Sequence, residues 1–312
     1  VDVRRLKVFC NVVELKSFTK AAKASFLTQP SVSDHIRVLE ENLGEKLLDR
    51  LGREALPTPA GQILYQYARR IIQLRDEAVQ AINQYRGSLS GNLALGASTT
   101  PGAYILPQLI ESFKSHHPSI QIMLKISGTS QVVGELFQGN LELGIIGAKG
   151  KDHRLEYEEL FSDELVLAVW PGHLWAKREA VSLEELENYP FILRERGSGT
   201  RTVMTRILKD FGFDLARLSL VAEMGSTEAV RQSIKARIGV SILSSLAVEE
   251  DIRQGSLVSV PIKGIHMPRS FCLVQRKNRQ LSPLALAFLD FVHTRVQSSG
   301  IKKAAEKLPP DC

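Results

Sequence analysis

Between residues 64 and 85 the side chains Leu64, Tyr67, Ile71, Leu74, Ala78, Ala81 and Tyr85 step by three, four, three, four, three and four. That is the spacing of a heptad-like helical seam. With Thr58 as its cap, the pattern predicts one helix over residues 58–86, roughly 42 Å long at 1.5 Å per residue. A small domain cannot cover a stripe of that length, so the helix needs a partner. The candidates are another body of the same chain and the same helix of a second copy, which would meet through Leu64, Tyr67, Ile71, Leu74 and Ala78.

Ahead of the seam, Leu6, Phe9, Cys10 and Val13 recur at three and four, the mark of an amphipathic helix. Ser17 is placed to cap a second helix carrying the small residues Ala21, Ala22 and Ala24, which let another helix approach closely. After a turn at residues 26–30, Pro30 is expected at the first position of a third helix, where its missing N–H costs nothing. Val32, Ile36, Leu39 and Leu43 line its buried stripe, Ser31, Ser33, Asp34, His35 and Arg37 face away from it, and Gly44 ends it. Two helices joined by a tight turn, the second with one apolar and one hydrogen-bonding face, fit a helix-turn-helix; an αα-hairpin in a helical core fits equally well. The run from Lys46 to Pro59 reads as strand, basic turn at Gly52, strand. Such a wing could hold phosphates or enter a minor groove with Arg50 and Arg53.

The series Ser17-Phe18-Thr19-Lys20-Ala21-Ala22, Thr28-Gln29-Pro30-Ser31-Val32-Ser33, Ile36-Arg37-Val38-Leu39-Glu40, Leu43-Gly44, Leu47-Leu48-Asp49-Arg50 and Thr58-Pro59-Ala60-Gly61 resembles the signature of LysR-type transcriptional regulators. Within that family the chain is also similar, by overall likeness, to the CysB-like branch concerned with sulfur or selenium metabolism. The resemblance implies a winged helix-turn-helix over residues 1–61 and a linker and dimerisation helix over 58–87. It further implies a two-lobed α/β body like that of periplasmic binding proteins over 91–297, and the remainder, 298–312, reads as a polar tail. Lobe I would comprise 91–163 and 268–297, and lobe II 164–267, with the chain crossing near Asp163–Glu164 and returning near Met267–Arg269. The implied partners are double-stranded promoter DNA, a small-molecule effector, a second copy forming a homodimer that pairs into a homotetramer, and RNA polymerase. DNA contacts fall to Thr28, Gln29, Pro30, Ser31, Ser33, Asp34, His35, Arg37, Arg50 and Arg53. Gln29 can pair bidentately with adenine. Asp34 departs from the basic residue that many members carry there, and could accept from a cytosine amino group or keep clear of the backbone.

Past a hinge at Gly87-Ser88-Leu89-Ser90-Gly91, short apolar runs alternate with helical patterns, the order expected of a largely parallel sheet in two α/β lobes. Four hydroxyl-rich turns fall at strand ends or helix starts: residues 98–102, 127–131, 196–201 and 225–227. Ser, Thr and Gly are ordinary caps and turn residues. Together, at matching places in two lobes, they outline a cleft in which helix N-termini favour an anion. The candidate effector contacts are Ser98, Thr99, Thr100, Ser127, Thr129, Arg196, Ser198, Thr200 and Arg201. A sulfur oxyanion and a carboxylate would use the same donors.

Composition narrows the alternatives. Of 312 residues 44% are hydrophobic and 24% charged, with a formal net charge of +6, ordinary for a globular protein and compatible with nucleic acid. Residues 1–90 hold fourteen Lys and Arg against ten Asp and Glu, too small an excess to argue DNA binding by itself. No apolar stretch approaches a membrane span and the first residues show no signal-peptide pattern, so a cytoplasmic protein is expected. Cys10, Cys272 and Cys312 stand far apart, without metal-ligand spacing, and His173 is taken as structural. Gly197-Ser198-Gly199-Thr200 lacks the ending of a phosphate-binding Walker loop and Gly225-Ser226 lies in no nucleophile elbow. Neither an enzyme nor a bound cofactor or metal is expected. A free solute-binding protein would account for the lobes and leave the first 90 residues without a purpose.

Overall fold

The computed structural model describes residues 2–51, 54–85 and 89–298, and the chain divides into two compact bodies between Ser88 and Leu89. The first body runs α1 (Val3–Leu15), α2 (Phe18–Ala24), α3 (Gln29–Leu43), β1 (Leu48–Leu51), β2 (Glu54–Pro57) and α4 (Pro59–Tyr85). Each helix start is fixed by a side chain that accepts a backbone N–H: Asp2 from Arg5, Ser17 from Lys20, Thr28 from Ser31, and Thr58 from Gly61 at 3.0 Å. Such caps contribute about 1 kcal/mol each. α3 begins one residue earlier than expected, which puts Pro30 at its second position, and it ends on Gly44 at φ 71°, a left-handed conformation natural to glycine. Leu6, Phe9, Val32, Ile36 and Leu39 form the core, and the buried alanines Ala21 and Ala22 give α2 its close seat. The Glu40 carboxylate accepts the backbone N–H of Leu47 at 2.8 Å, tying the two-stranded wing to α3.

α4 presents two adjoining apolar faces. Leu64, Tyr65, Ala68 and Ile72 pack on the winged-helix core, so Leu64 does not belong to the free seam. Ile63, Tyr67, Ile71, Leu74, Ala78 and Ile82 are exposed along the other face, Leu74 by 67%. The side chains of Ala81 and Tyr85 lie outside the described residues, as do Gly52, Arg53 and Arg86 and the side chain of Arg50.

The second body contains β3 (Gly91–Ser98), α5 (Thr99–Tyr104), α6 (Leu106–His116), β4 (Ile120–Ser127), α7 (Thr129–Gln138), β5 (Leu143–Ile146) and β6 (Leu155–Val169). It continues with β7 (Pro190–Arg194), α8 (Gly199–Asp210), β8 (Ser219–Met224), α9 (Thr227–Lys235), β9 (Ser241–Ser244), α10 (Ser245–Arg253), β10 (Val258–Val260), β11 (Pro268–Arg276) and α11 (Pro283–Ser298). Two hydrophobic cores define two lobes. One gathers Leu93, Leu95, Phe113, Leu143, Phe271 and Phe288; the other gathers Leu165, Leu167, Trp175, Phe191, Val240 and Ile242.

β6 passes from one core into the other: Leu160 and Phe161 are buried in the first, Leu165 and Leu167 in the second. β11 returns beside it, antiparallel, with Asp163 opposite Arg269 and Glu164 opposite Pro268. The sheet is mixed rather than largely parallel. β3 runs parallel to β4 and β5, while every pairing of β6 and β11 is antiparallel. Residues 155–164 are strand because β11 supplies a ladder, a long-range partner that alternation in the local sequence does not reveal. A short α5 precedes α6, a 3-10 turn spans Glu184–Asn188 between β6 and β7, and α10 and β10 lie between β9 and β11.

Candidate functional site

On the exposed side of α3, Gln29 Nε2 donates to Ser33 Oγ at 3.0 Å and the hydroxyls of Thr28 and Ser31 lie 2.8 Å apart. Pro30 is exposed beside them and His35 is half-buried. Arg37 is held from both sides, by Asp34 at 2.6 Å and Glu41 at 2.5 Å. The hydrogen bond from Arg37 holds the Asp34 carboxyl below its usual range. Asp34 therefore spends its charge on a neighbour within the helix, and Arg37 points along the helix surface with both its partners exposed. The other donors of this face satisfy one another in the same way, so each needs only a rotamer change to turn toward a base edge.

In the second body six of the nine hydroxyl and arginine candidates converge. Ser98, Thr99, Thr100, Thr129, Ser198 and Thr200 line a narrow pocket between the lobes, of about 10 Å³, room for roughly one water molecule. They come together because β3 and β4 run parallel in register and end together at Ser98 and Ser127, where α5 and α7 begin, while α8 starts from the opposite lobe. Gly199 lets that approach happen: a Cβ there would stand 3.0 Å from Thr129 Oγ1 and 3.0 Å from the Gly147 carbonyl carbon. Ser98 does not cap α5; its hydroxyl accepts the Gly147 N–H at 3.1 Å. Ser127, Arg196 and Arg201 are not in the pocket lining. Arg201 is turned away by the Arg194 carbonyl at 2.8 Å and Glu223 at 2.6 Å, and Arg196 faces the wider space outside the pocket.

Two buried guanidinium groups take the place expected of Arg196 and Arg201. Arg194, at the end of β7, makes a two-point pair with Glu195, each N···O distance 2.8 Å. Its Nη1 also donates to Thr227 Oγ1 at 2.6 Å and to Thr99 Oγ1 at 3.1 Å, the latter in the other lobe. Arg269 on β11 donates from Nε to Asp163 at 2.6 Å and from Nη1 to Thr200 at 3.0 Å, and its Cζ lies 4.6 Å from the centre of the Phe271 ring. Burial pulls the Arg269 guanidinium below its usual pKa range, Arg194 acts the same way, and the Asp163 carboxylate opposes both. Asp163 also accepts from Ser244 and Ser245. Arg269 Nη2 and Thr129 Oγ1 are buried without a hydrogen-bond partner. The sequence signal for Arg194 is a charge closing the apolar run Phe191-Ile192-Leu193; for Arg269 it is a charge at the strand crossing itself.

Other features of the sequence find quieter places. His173 is buried among Trp170, Trp175 and Tyr189, with Nδ1 accepting the Trp175 N–H, and burial lowers its pKa. Among the described residues no group of three or more His, Cys, Asp and Glu side chains is placed to hold a metal ion, and no helix is long and apolar enough to cross a membrane.

A winged helix-turn-helix followed by a two-lobed α/β body with a polar interlobe pocket is the build of a ligand-responsive DNA-binding regulator. The chain belongs to the lysR family of bacterial regulatory helix-turn-helix proteins, whose model matches residues 3–62, while the LysR substrate binding domain matches residues 86–297. It is 32% identical over 292 residues to the RuBisCO operon transcriptional regulator of Allochromatium vinosum, covering 94% of this chain and 95% of that one. In fold it is similar to full-length CbnR complexed with its target DNA, at TM-score 0.69 and 23% identity, over 94% of this chain and 99% of that chain. The regulatory domain of Synechocystis PCC6803 CcmR in complex with 2-PG matches 67% of this chain and 98% of its own length, at TM-score 0.61 and 25% identity. The family match over residues 3–62 gives the N-terminal body a regulatory role that a free solute-binding protein would not have. None of these three relatives is a regulator named for sulfur metabolism, so they lend the CysB-like branch no support.

Proposed function

We propose that promoter binding by this LysR-type regulator is set by a small anionic effector held between its lobes. The observation that carries the reading is the pair of buried, unpartnered donors, Arg269 Nη2 and Thr129 Oγ1, in a pocket otherwise lined by hydroxyls and helix starts. Leaving such groups unpaired costs about 1–3 kcal/mol each, a deficit that an oxyanion removes. At about 10 Å³ the pocket admits an effector only when the lobes part. The Arg194–Thr99, Arg269–Thr200 and Ser130–Gly197 bonds are interlobe contacts that yield or re-form in that movement. A carboxylic or phosphorylated metabolite is favoured by the likeness to the CcmR regulatory domain with 2-PG. A sulfur oxyanion would engage the same donors and remains the second arm of the test. We further assign recognition of double-stranded DNA in the cytoplasm to Thr28, Gln29, Pro30, Ser31, Ser33 and Arg37, with the wing arginines on the backbone. The exposed stripe of α4 is assigned to a second copy, giving a homodimer able to pair into a tetramer, without enzymatic activity of its own. A gel shift on the promoter fragment nearest its own gene, with carboxylates, phosphorylated acids, sulfate and sulfite added in turn, tests the reading. A salt-dependent shift altered by one of these and not by the others is expected. Binding that no compound alters, in a chain whose pocket residues are intact, rejects it.

A further inference from the structure

Between α2 and α3 the chain turns through a Schellman motif: the Leu27 N–H donates to the Ala22 carbonyl at 2.9 Å and the Phe26 N–H to the Lys23 carbonyl at 3.2 Å. Phe26 therefore holds the position that glycine or asparagine usually fills, at φ 54°. A benzyl side chain there strains the backbone, because its Cβ crowds a carbonyl oxygen. Three other non-glycine residues among those described have positive φ, Lys16, Arg237 and Asn278, and each is exposed with a polar head that belongs in water. Phe26 differs from them. Its side chain is 96% exposed and outside the winged-helix core, while Leu27 beside it packs inward. Strain and a bare ring are both unfavourable in the isolated protomer, and no core packing of Phe26 among the described residues offsets them.

We infer that Phe26 is a DNA contact whose ring is pressed against an apolar edge of the duplex, a thymine 5-methyl or a deoxyribose. The inference rests on the assignment of the α3 face to DNA. Phe26 stands two residues before the cap Thr28, and Thr28, Gln29 and Pro30 are exposed with it, so the ring projects beside the first turn of that helix. On its other side Lys20 and Lys23 are exposed. From Ser17 to Glu41 no other large apolar side chain is exposed. A protein partner calls for an apolar patch, whereas a lone ring among cations and hydrogen-bonding side chains suits a duplex: phenylalanine covers a thymine methyl or sugar while its neighbours take phosphates and base edges. The turn also fixes the backbone beforehand, so little freedom is lost when the ring meets the duplex.

Filter binding of the full chain tests this on the promoter fragment that shifts, on the same fragment with deoxyuridine in place of thymidine, and on unrelated DNA. Phe26→Asn accepts the left-handed turn, so its urea midpoint should equal or exceed that of the parent. Promoter affinity should fall by about tenfold, the size of one apolar contact made by each protomer of a dimer. The slope of log K on log salt should not change, because no cation is removed. If the ring covers a thymine methyl, the loss is confined to the promoter fragment, and the deoxyuridine duplex erases the difference between the two proteins. If it covers a deoxyribose, the loss appears on all three duplexes. Parent-like affinity of Phe26→Asn on every duplex overturns the inference, and so does a loss that comes with a lower urea midpoint, since the ring would then be structural. Gln29→Ala is measured alongside. Weakened binding by Gln29→Ala with Phe26→Asn unchanged removes the ring and leaves the α3 face on DNA, while parent-like binding by both removes the face as well.

Discussion

Arg194 and Thr99 stand in different lobes and share a hydrogen bond of 3.1 Å, donated from a guanidinium that is itself 3% exposed. Because Arg194 is anchored by Glu195 and Thr227, the weaker contact to Thr99 is the one that a parting of the lobes breaks. Thr99→Val keeps the shape and removes the acceptor. A hydrogen bond to a charged group contributes about 1.5–3 kcal/mol, so this variant should unfold at lower urea concentration and release effector faster. Unfolding curves that overlay those of the parent, with unchanged dissociation, would show that the bond does not hold the lobes.

Asp163 and Arg269 pair at the strand crossing with side chains 0% and 2% exposed. Asp163→Asn leaves the buried guanidinium without its counter-charge, a loss of about 3–5 kcal/mol. Asp163→Asn/Arg269→Met removes both charges, and its stability should recover much of that loss while effector binding stays abolished. Urea unfolding and calorimetry together check it; a double variant no more stable than Asp163→Asn alone would mean that the pair is not the source of the penalty.

Burial pushes the Cys10 thiol up to about 12, chiefly because the thiolate would sit in the apolar core of the winged helix. A group whose folded pKa is raised stabilises the fold fully below its unfolded value, and that contribution is lost as pH rises through the folded one. From about pH 9 toward 12 the unfolded thiol ionises and the folded one does not, so unfolding becomes easier by up to roughly 1.4 kcal/mol per pH unit. Cys10→Ala should flatten that slope even though the cavity lowers stability at every pH. Equal slopes for the two proteins between pH 9 and 11 would rule this out.

The seam residue Ile71 is 45% exposed and lies outside the winged-helix core. Ile71→Asp should therefore change the stability of the isolated protomer by less than about 0.5 kcal/mol while placing an unpaired carboxylate in any helix-to-helix interface. Sedimentation should show a folded monomer. A dimer that persists at the same concentration would move the interface off α4.

The two ends of the chain were unequally legible. In the first body the signals are local: caps at Ser17 and Thr58, a heptad-like step along α4, and a turn over residues 26–30, whose Thr28 proves to be the cap of α3. Leu64 was misplaced because period alone cannot divide two adjoining apolar faces between an internal core and an external partner. In the second body the hydroxyls were readable as helix starts, which is where Thr100, Thr129 and Thr200 stand. Arg194 and Arg269 were not, since what makes them part of the pocket is pairing with Glu195 and Asp163 and contact across 95 and 69 residues of chain to Thr99 and Thr200. Arg196 and Arg201 were closer to the glycine-rich turn and were credited instead; Arg201 is diverted by Glu223, a partner 22 residues away on β8.

On the DNA-facing helix the pair Asp34–Arg37 has a consequence of its own. Asp34 is an exposed carboxylate on the face assigned to DNA, and it holds Arg37 together with Glu41. Near phosphates the carboxylate is repelled, and every arginine donor it occupies is one fewer for the duplex. Asp34→Ala should free one side of Arg37, raise affinity for operator and unrelated DNA alike, and steepen the dependence of log K on log salt by close to one phosphate equivalent, about −0.9. If Asp34 instead accepts from a cytosine amino group, the same variant loses about 1–3 kcal/mol on the operator alone and leaves unrelated DNA unaffected. Arg37→Ala provides the control, since it should weaken both kinds of DNA and make a further change at residue 34 nearly silent. Filter binding of the parent, the two single variants and Asp34→Ala/Arg37→Ala on operator and scrambled duplexes at four salt concentrations distinguishes the outcomes. Gains on both duplexes identify Asp34 as a brake on Arg37, and a loss confined to the operator identifies it as a base reader.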